Sequence, residues 1–421
     1  MGNTAGDSFF AYAFAVFVSS ARETSGSNAL SAPLLVSLAI SVLFIWTILN
    51  FIRVEDIGWI YNMASVLQIG TILALSIVIL STAPHLNSLS FVFFDYNNST
   101  GFTQEYYVVM LSFLYPLFGF VGYDSPAHLA EETKSSRKVS SMGIIYTVLG
   151  CGITGFLVLL ALLFGLQDIT QAIEGPSGNA AVEIIQQTAG RYVASVFSWI
   201  LVINMFFTGM SSVTVTSRIL YVLCRDKASH YAEPLATVHP HYRSPINASI
   251  FLFLIQFLLL LIPLFSARGV VAFYSVLSIC VVGLQISYLI PVVLKVLIFI
   301  NPEENSKMLA RLQNSYISLG VFSLPLGILA SIWLFFTTLL LLLPTNYPIT
   351  GATMNYTSVV LIITITAGII NWEYNSKHTF TGPPRSFDID DNESNENNEN
   401  TNDTHATLVP TRELEPLIRG R

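Results

Sequence analysis

An all-α polytopic membrane protein is what this sequence predicts, and three observations carry the prediction. Of 421 residues, 53% are apolar and only 11% are charged, against about 25% charged in a soluble protein. The apolar residues gather in stretches of the length a spanning helix needs, about 20 residues. One stretch is interrupted by Gly119-Phe-Val-Gly-Tyr-Asp-Ser-Pro-Ala-His-Leu-Ala-Glu-Glu-Thr-Lys134. Irregular backbone and ionisable groups at membrane depth persist only where protein or a wet cavity surrounds them.

Taken in order, nine stretches qualify as spans. They are Ala29–Ile52, Ile57–Leu80, Tyr106–Val121 with its broken continuation, Met142–Leu166, Tyr192–Val215, Ala248–Phe265, Val270–Ile290, Leu319–Leu343 and Thr357–Trp372. A tenth, Phe9–Ser19, is too short to span alone and lacks the basic start of a secretory signal. It reads as the end of a longer helix. Lys and Arg set the orientation. With the loop Lys134–Ser141 inside, Arg53, the loops Arg218–Arg243 and Lys295–Arg311 and the tail are inside too. Only Arg22, Arg191 and Arg268 fall outside, a clear positive-inside asymmetry. Asn98-Ser-Thr and Asn355-Tyr-Thr then face outward as glycosylation acceptors.

The predicted organisation is a transmembrane domain over 1–373 and a polar cytoplasmic tail over 374–421. Asp388–Thr404 is an Asn/Glu/Asp run that buries too little surface to offset chain entropy. The net charge of -7 owes much to this tail, so nucleic acid is not an expected partner. Glu413-Leu-Glu-Pro-Leu-Ile418 has the form of an acidic dileucine signal for a sorting adaptor. Cys151, Cys224 and Cys280 have neither zinc spacing nor a disulfide framework. No metal and no cofactor is expected.

The block Phe91-Val-Phe-Phe-Asp-Tyr-Asn-Asn-Ser-Thr-Gly101 is followed by Gly122-Tyr-Asp, His128 and Glu131-Glu-Thr-Lys134. Phe207-Thr-Gly-Met-Ser-Ser-Val-Thr-Val-Thr-Ser-Arg-Ile-Leu-Tyr221, Arg225-Asp226, Ser244-Pro-Ile-Asn-Ala248 and Met354-Asn-Tyr356 come after it. In order and spacing these blocks resemble fungal amino-acid and choline permeases, including GABA permeases, of the amino acid–polyamine–organocation superfamily. The resemblance runs from about Phe9 to Trp372. It implies twelve helices, the first ten forming a leucine-transporter-type five-plus-five inverted repeat. Counted backwards, Tyr106–Glu131 matches the sixth helix and Phe9–Ser19 the end of the third. The fold would then be N-terminally incomplete, with about nine full spans plus one partial. Ser140-Ser141 and Lys227-Ala-Ser-His depart from the family's usual proline and Gly-x-x-Pro turn.

In such folds a broken helix holds the solute. Gly119 and Gly122 permit non-helical backbone, and the freed amides and carbonyls, with Asp124, can meet a solute's charged ends. Phe118, Phe120 and Tyr123 supply ring faces for an ammonium group. Asp124, His128 and Glu132 share one face at i, i+4, i+8 if the helix resumes. Three arrangements fit them: an inner gate with Lys134, Arg137 or Arg225, a proton relay, or a metal site. Glu131, Glu132, Arg225 and Asp226 belong to the same gating or relay set. Asn204, Thr208, Ser211 and Ser212 line the pore or pack helices, and in sodium-coupled relatives such hydroxyls hold the ion. Gln68 faces either a cavity or a neighbouring helix. Gln256 and Gln285 read as packing bonds.

The resemblance implies a lipid-embedded, proton-coupled carrier of a small amine or amino acid, in the plasma or vacuolar membrane with its C-terminus cytoplasmic. A non-transporting homologue, acting as a sensor or a degenerate copy, is the second reading. A membrane enzyme is the third, and the sequence has no His-x-x-x-His and no Gly-x-Ser-x-Gly to support it.

Overall fold

The computed structural model describes residues 1–380 other than 53, 131–132, 134, 229–231, 266, 304, 314 and 352. Every regular element among them is helical. In order they are α1 (Gly2–Thr24), α2 (Ala32–Leu49), α3 (Val54–Thr82), α4 (Leu89–Phe94), α5 (Glu105–Ser112), α6 (Leu114–Gly119), α7 (Ser125–His128), α8 (Ser136–Gly165) and α9 (Ile169–Glu174). Then come α10 (Ala180–Arg225), α11 (Ala232–Leu235), α12 (Ile246–Leu261), α13 (Ala267–Ile300), α14 (Ser306–Gln313), α15 (Ser323–Leu342), α16 (Thr357–Asn371) and α17 (Lys377–Thr379).

Eight of these are long and apolar enough to cross a membrane: α2, α3, α8, α10, α12, α13, α15 and α16. With the interrupted series α5 to α7 they are the nine stretches expected from the sequence. Side chains such as Val66, Leu329 and Ile362 stand exposed on their outer faces, as lipid-facing positions must.

Several boundaries move. The stub expected at Phe9–Ser19 is a 23-residue helix, about 34 Å long at 1.5 Å per residue. Its first turns are too polar to read as lipid-facing, but they are sheathed in protein, and Asp7 and Ser8 have no exposed surface. The span expected at Tyr192–Val215 runs on to Arg225, so Arg218 is inside α10 and buried, not in a cytoplasmic loop. Its Nη1 donates to the Thr214 carbonyl (3.2 Å) and to Ser217 Oγ (3.1 Å). The start of α10 is offset at Gly190, whose φ of 83° is non-helical. The loop Lys134–Ser141 is helical from Ser136, and Lys295 lies within α13. Helical backbone also continues past 374, through Thr379. There Ser376 Oγ and Thr379 Oγ1 donate to the carbonyls of Ala228 and Lys227.

The core is built around α1. Ala11 and Ala15 of α1 pack with Val36, Leu43 and Trp46 of α2, Met210 and Val213 of α10 and Leu260 of α12. Small residues let these axes approach closely. Trp46 lies directly over Gly209, and Phe14 and Phe206 meet its ring at 6.2 and 6.0 Å. A second cluster joins Leu75 and Ile79 of α3 to Val182, Ile185, Ala194 and Phe197 of α10. A third seats Leu117 of α6 on Val281 and Val282 of α13 and Leu341 of α15, and so holds the interrupted segment against the bundle. Asn50, at the end of α2, is a polar clasp. It accepts from Thr214 Oγ1 at Oδ1 (2.6 Å) and from Ser244 Oγ at its carbonyl (2.7 Å).

Candidate functional site

The interruption lies where the sequence places it. After α6, the Phe120 amide donates to the carbonyls of Pro116 and Leu117. The chain then turns through Gly122 at φ 85°, a conformation that only glycine adopts without strain. Ser125 closes the turn, donating to the Gly122 carbonyl from its amide (3.1 Å) and from its hydroxyl (2.6 Å). Pro126 opens α7 in the first turn, where its missing N–H costs nothing.

Asp124 is the polar centre of the turn. His128 Nε2 lies 2.8 Å from Oδ2, so the predicted i, i+4 pairing is made. The Tyr288 hydroxyl of α13 donates to Oδ1 at 2.7 Å, and its ring lies 4.6 Å from that of Tyr123. Tyr288 was not foreseen, because nothing in the sequence pairs α13 with the turn. The Asp124 and His128 side chains are 19% and 32% exposed, so the pair is within reach of water. Phe118 and Phe120 are exposed beside it, and Gly119 has open space where a side chain would stand. Tyr123, Asp124, His128 and Tyr288 therefore form one unit that brings together a carboxylate, an imidazole and two phenol rings. Glu131, Glu132 and Lys134 lie outside the described residues.

The other predicted residues gather elsewhere. Gln68 donates to Thr208 Oγ1 at 3.2 Å, and Asn204 to Thr71 Oγ1 at 2.9 Å. Both bonds tie α3 to α10. The hydroxyls of Thr208 and Ser211 turn back to the carbonyls of Asn204 and Phe207. Arg225 Nε meets its neighbour Asp226 at 3.0 Å. Asn98 is exposed, and its Nδ2 donates to the Phe102 carbonyl. Asn355 Nδ2 is bound to the carbonyls of Leu341 and Leu343, both at 2.9 Å.

The sequence reading missed Asp7. Its carboxylate is fully buried. It accepts from Ser212 Oγ at Oδ1 and from Gln256 Nε2 at Oδ2, the latter at 2.7 Å, with the Thr216 hydroxyl also in reach. Cys280 of α13 stands against Gly6, one residue away. A cavity of about 370 Å³ lies beside this cluster, lined by Gly2, Thr4, Thr216, Leu252, Gly283 and Ser287 among others. A signal was present. Asp7, Ala11, Ala15 and Ser19 recur every four residues and share one face, the face along which α1 packs.

Eight long apolar helices among the described residues define an integral, multi-pass membrane protein. A family profile described as amino acid permease matches residues 1–366. The chain belongs to the amino acid permease family. Among its relatives is Amino-acid permease BAT1 of Arabidopsis thaliana, 31% identical over 81% of this chain and 66% of the relative. A putative amino acid/polyamine transporter of Macrophomina phaseolina is 29% identical over 76% of this chain and 67% of its own length. The choline transporter of Saccharomyces cerevisiae is 26% identical over 70% and 50%. The chain spans less than two thirds of the length of the first relatives, 66% and 60% for the Arabidopsis protein and its rice homologue.

Proposed function

We propose that this chain carries an amino acid or a related amine such as choline, GABA or a polyamine across a membrane as a proton-coupled secondary transporter. One observation carries the reading. The turn 119–124 presents freed backbone and an Asp124 carboxylate held by His128 and Tyr288. A broken helix of this form suits a solute with a cationic end. The relatives' names, permease and choline transporter, support the same solute class. In this reading Phe118, Phe120 and Tyr123 wall the site. Asp124 and His128, with Glu131, Glu132, Arg225 and Asp226, form the gate towards the cytoplasm. α1 takes the place of the third helix of a twelve-helix permease, and the segment from 374 onward is a cytoplasmic tail. The plasma or vacuolar membrane is the proposed location, with Asn98 outside and available for glycosylation.

The test is uptake of labelled amino acids, choline and GABA by cells expressing the chain. Saturable uptake that an uncoupler collapses is expected. Gly122→Leu should abolish it, since αL backbone costs a non-glycine residue about 1–2 kcal/mol and the turn would open. Unchanged uptake in Gly122→Leu, Tyr123→Ala and Asp124→Asn would remove the site assignment.

A further inference from the structure

Asp7 is placed where a carboxylate is most costly. Gln256, its partner, stands ten residues from one end and eight from the other of the span Ile246–Leu264. At 1.5 Å per residue that is about 15 and 12 Å, the middle of a hydrocarbon layer about 30 Å thick. An ionisable group at that depth is a functional candidate by default, because its placement costs several kcal/mol that a neutral residue would avoid.

Its surroundings are matched to two charge states. In the geometry seen, Ser212 and Gln256 both donate to the carboxylate. Gln256 Oε1 is buried and has no hydrogen-bond partner, although a structural amide would be expected to satisfy both ends. A half-turn of that amide puts Oε1 where Nε2 now stands, as an acceptor for a carboxylic O–H. The Ser212 hydroxyl can likewise donate or accept.

Few charges compete. The sequences of α2 and α12 contain no titratable residue. From α10, Ser212 and Thr216 face Asp7, while Arg218 is directed at Thr214 and Ser217. From α13 the facing group is Cys280, whose thiol stands against Gly6. Thr216 also borders the cavity beside α1, which leaves one hydroxyl between Asp7 and open space.

We infer that Asp7 is a proton-carrying site, converted between carboxylate and carboxylic acid during the transport cycle, with Gln256 and Ser212 as its two-state partners. A hydrated proton joins Oδ2 and leaves water; on the return leg the acid gives the proton back to water. The consequence, coupling to solute movement, rests on the transport reading above. The protonation itself does not.

Two measurements separate them. Infrared difference spectra of the purified full chain between acidic and alkaline buffer should show one carboxylic C=O band that Asp7→Asn removes and Asp124→Asn leaves. Gln256→Met should displace the pH midpoint of that band, an effect that mere packing would not produce. In proteoliposomes, one pH unit of inward gradient supports at most about tenfold accumulation at one proton per solute. Asp7→Asn should lose that accumulation and Asp7→Glu should restore it. A band that survives Asp7→Asn, or that does not respond to pH, overturns the inference. So does unimpaired pH-driven accumulation in Asp7→Asn. If Asp7→Asn does not fold, Gln256→Met decides, and an unmoved midpoint overturns it. A chain with a titrating Asp7 band but no flux supports the protonation and removes only the transport reading.

Discussion

Tyr288→Phe is the most discriminating change at the interrupted helix, because it deletes one atom. The ring that packs against Tyr123 at 4.6 Å stays; the hydroxyl that donates to Asp124 at 2.7 Å goes. A hydrogen bond to a charged group is worth about 1.5–3 kcal/mol net. Asp124 is 19% exposed, so water can replace part of the lost bond, which selects the lower end. About 1.5 kcal/mol is roughly a tenfold change in an equilibrium constant. If the bond orients Asp124 for an ammonium group, that factor should appear in KM for uptake, with little change in the melting temperature of the detergent-solubilised protein. If it only ties α13 to the turn, it should appear in stability instead. A double-mutant cycle of Tyr288→Phe with Asp124→Asn isolates the pairwise energy, expected at about 1–2 kcal/mol for such a bond. Additive effects in both KM and stability would show that the carboxylate and hydroxyl act independently, and would refute the single unit described here.

Other expectations concern the frame. Gly209→Ala places a methyl against the Trp46 ring and should destabilise by about 1–3 kcal/mol as overpacking; Trp46→Phe should recover part of this in a thermal scan. Asn355→Ala frees the carbonyls of Leu341 and Leu343 at the end of α15, at about 1–3 kcal/mol, so a lower melting temperature with unchanged KM is expected. Gln68→Leu removes only the bond to Thr208, and should cost about 0.6 kcal/mol in lipid and leave solute selectivity intact. Asn98→Gln should abolish a glycosidase-sensitive mobility shift, measured on gels of the protein expressed in a glycosylating host.

What was legible in the sequence followed from constraints that act within one segment. Length and apolarity alone fix which helices can span, and the eight that qualify among the described residues were all located. The break was equally visible, because Gly122 and Pro126 each restrict backbone in a way that no neighbour can reverse. The Asp124–His128 pair needed only helical spacing. Boundaries were read less well wherever polarity stood for exposure. Gly2-Asn-Thr-Ala-Gly-Asp-Ser8 lies before the stretch read as the end of a helix, and Arg218 reads as the start of a cytoplasmic loop, yet both are inside helices and buried, with their polar groups satisfied by protein.

Partner choice is where local reading stops. Ser211 and Ser212 are adjacent on α10 and chemically identical, and a helix turns them about 100° apart. Ser211 turns its hydroxyl back to the carbonyl of Phe207 on its own helix; Ser212 faces Asp7 across the gap to α1. Which of the two meets a carboxylate depends on the rotation of α10 against α1, and that rotation is set by distant contacts such as Trp46 on Gly209. Tyr288 is the same case on α13, and Asp7 on α1. Each carries an ionisable or polar atom whose role is conferred by another helix. The residues that span, turn and cap can be read one helix at a time, whereas polar contacts between helices become visible only once the helices are packed.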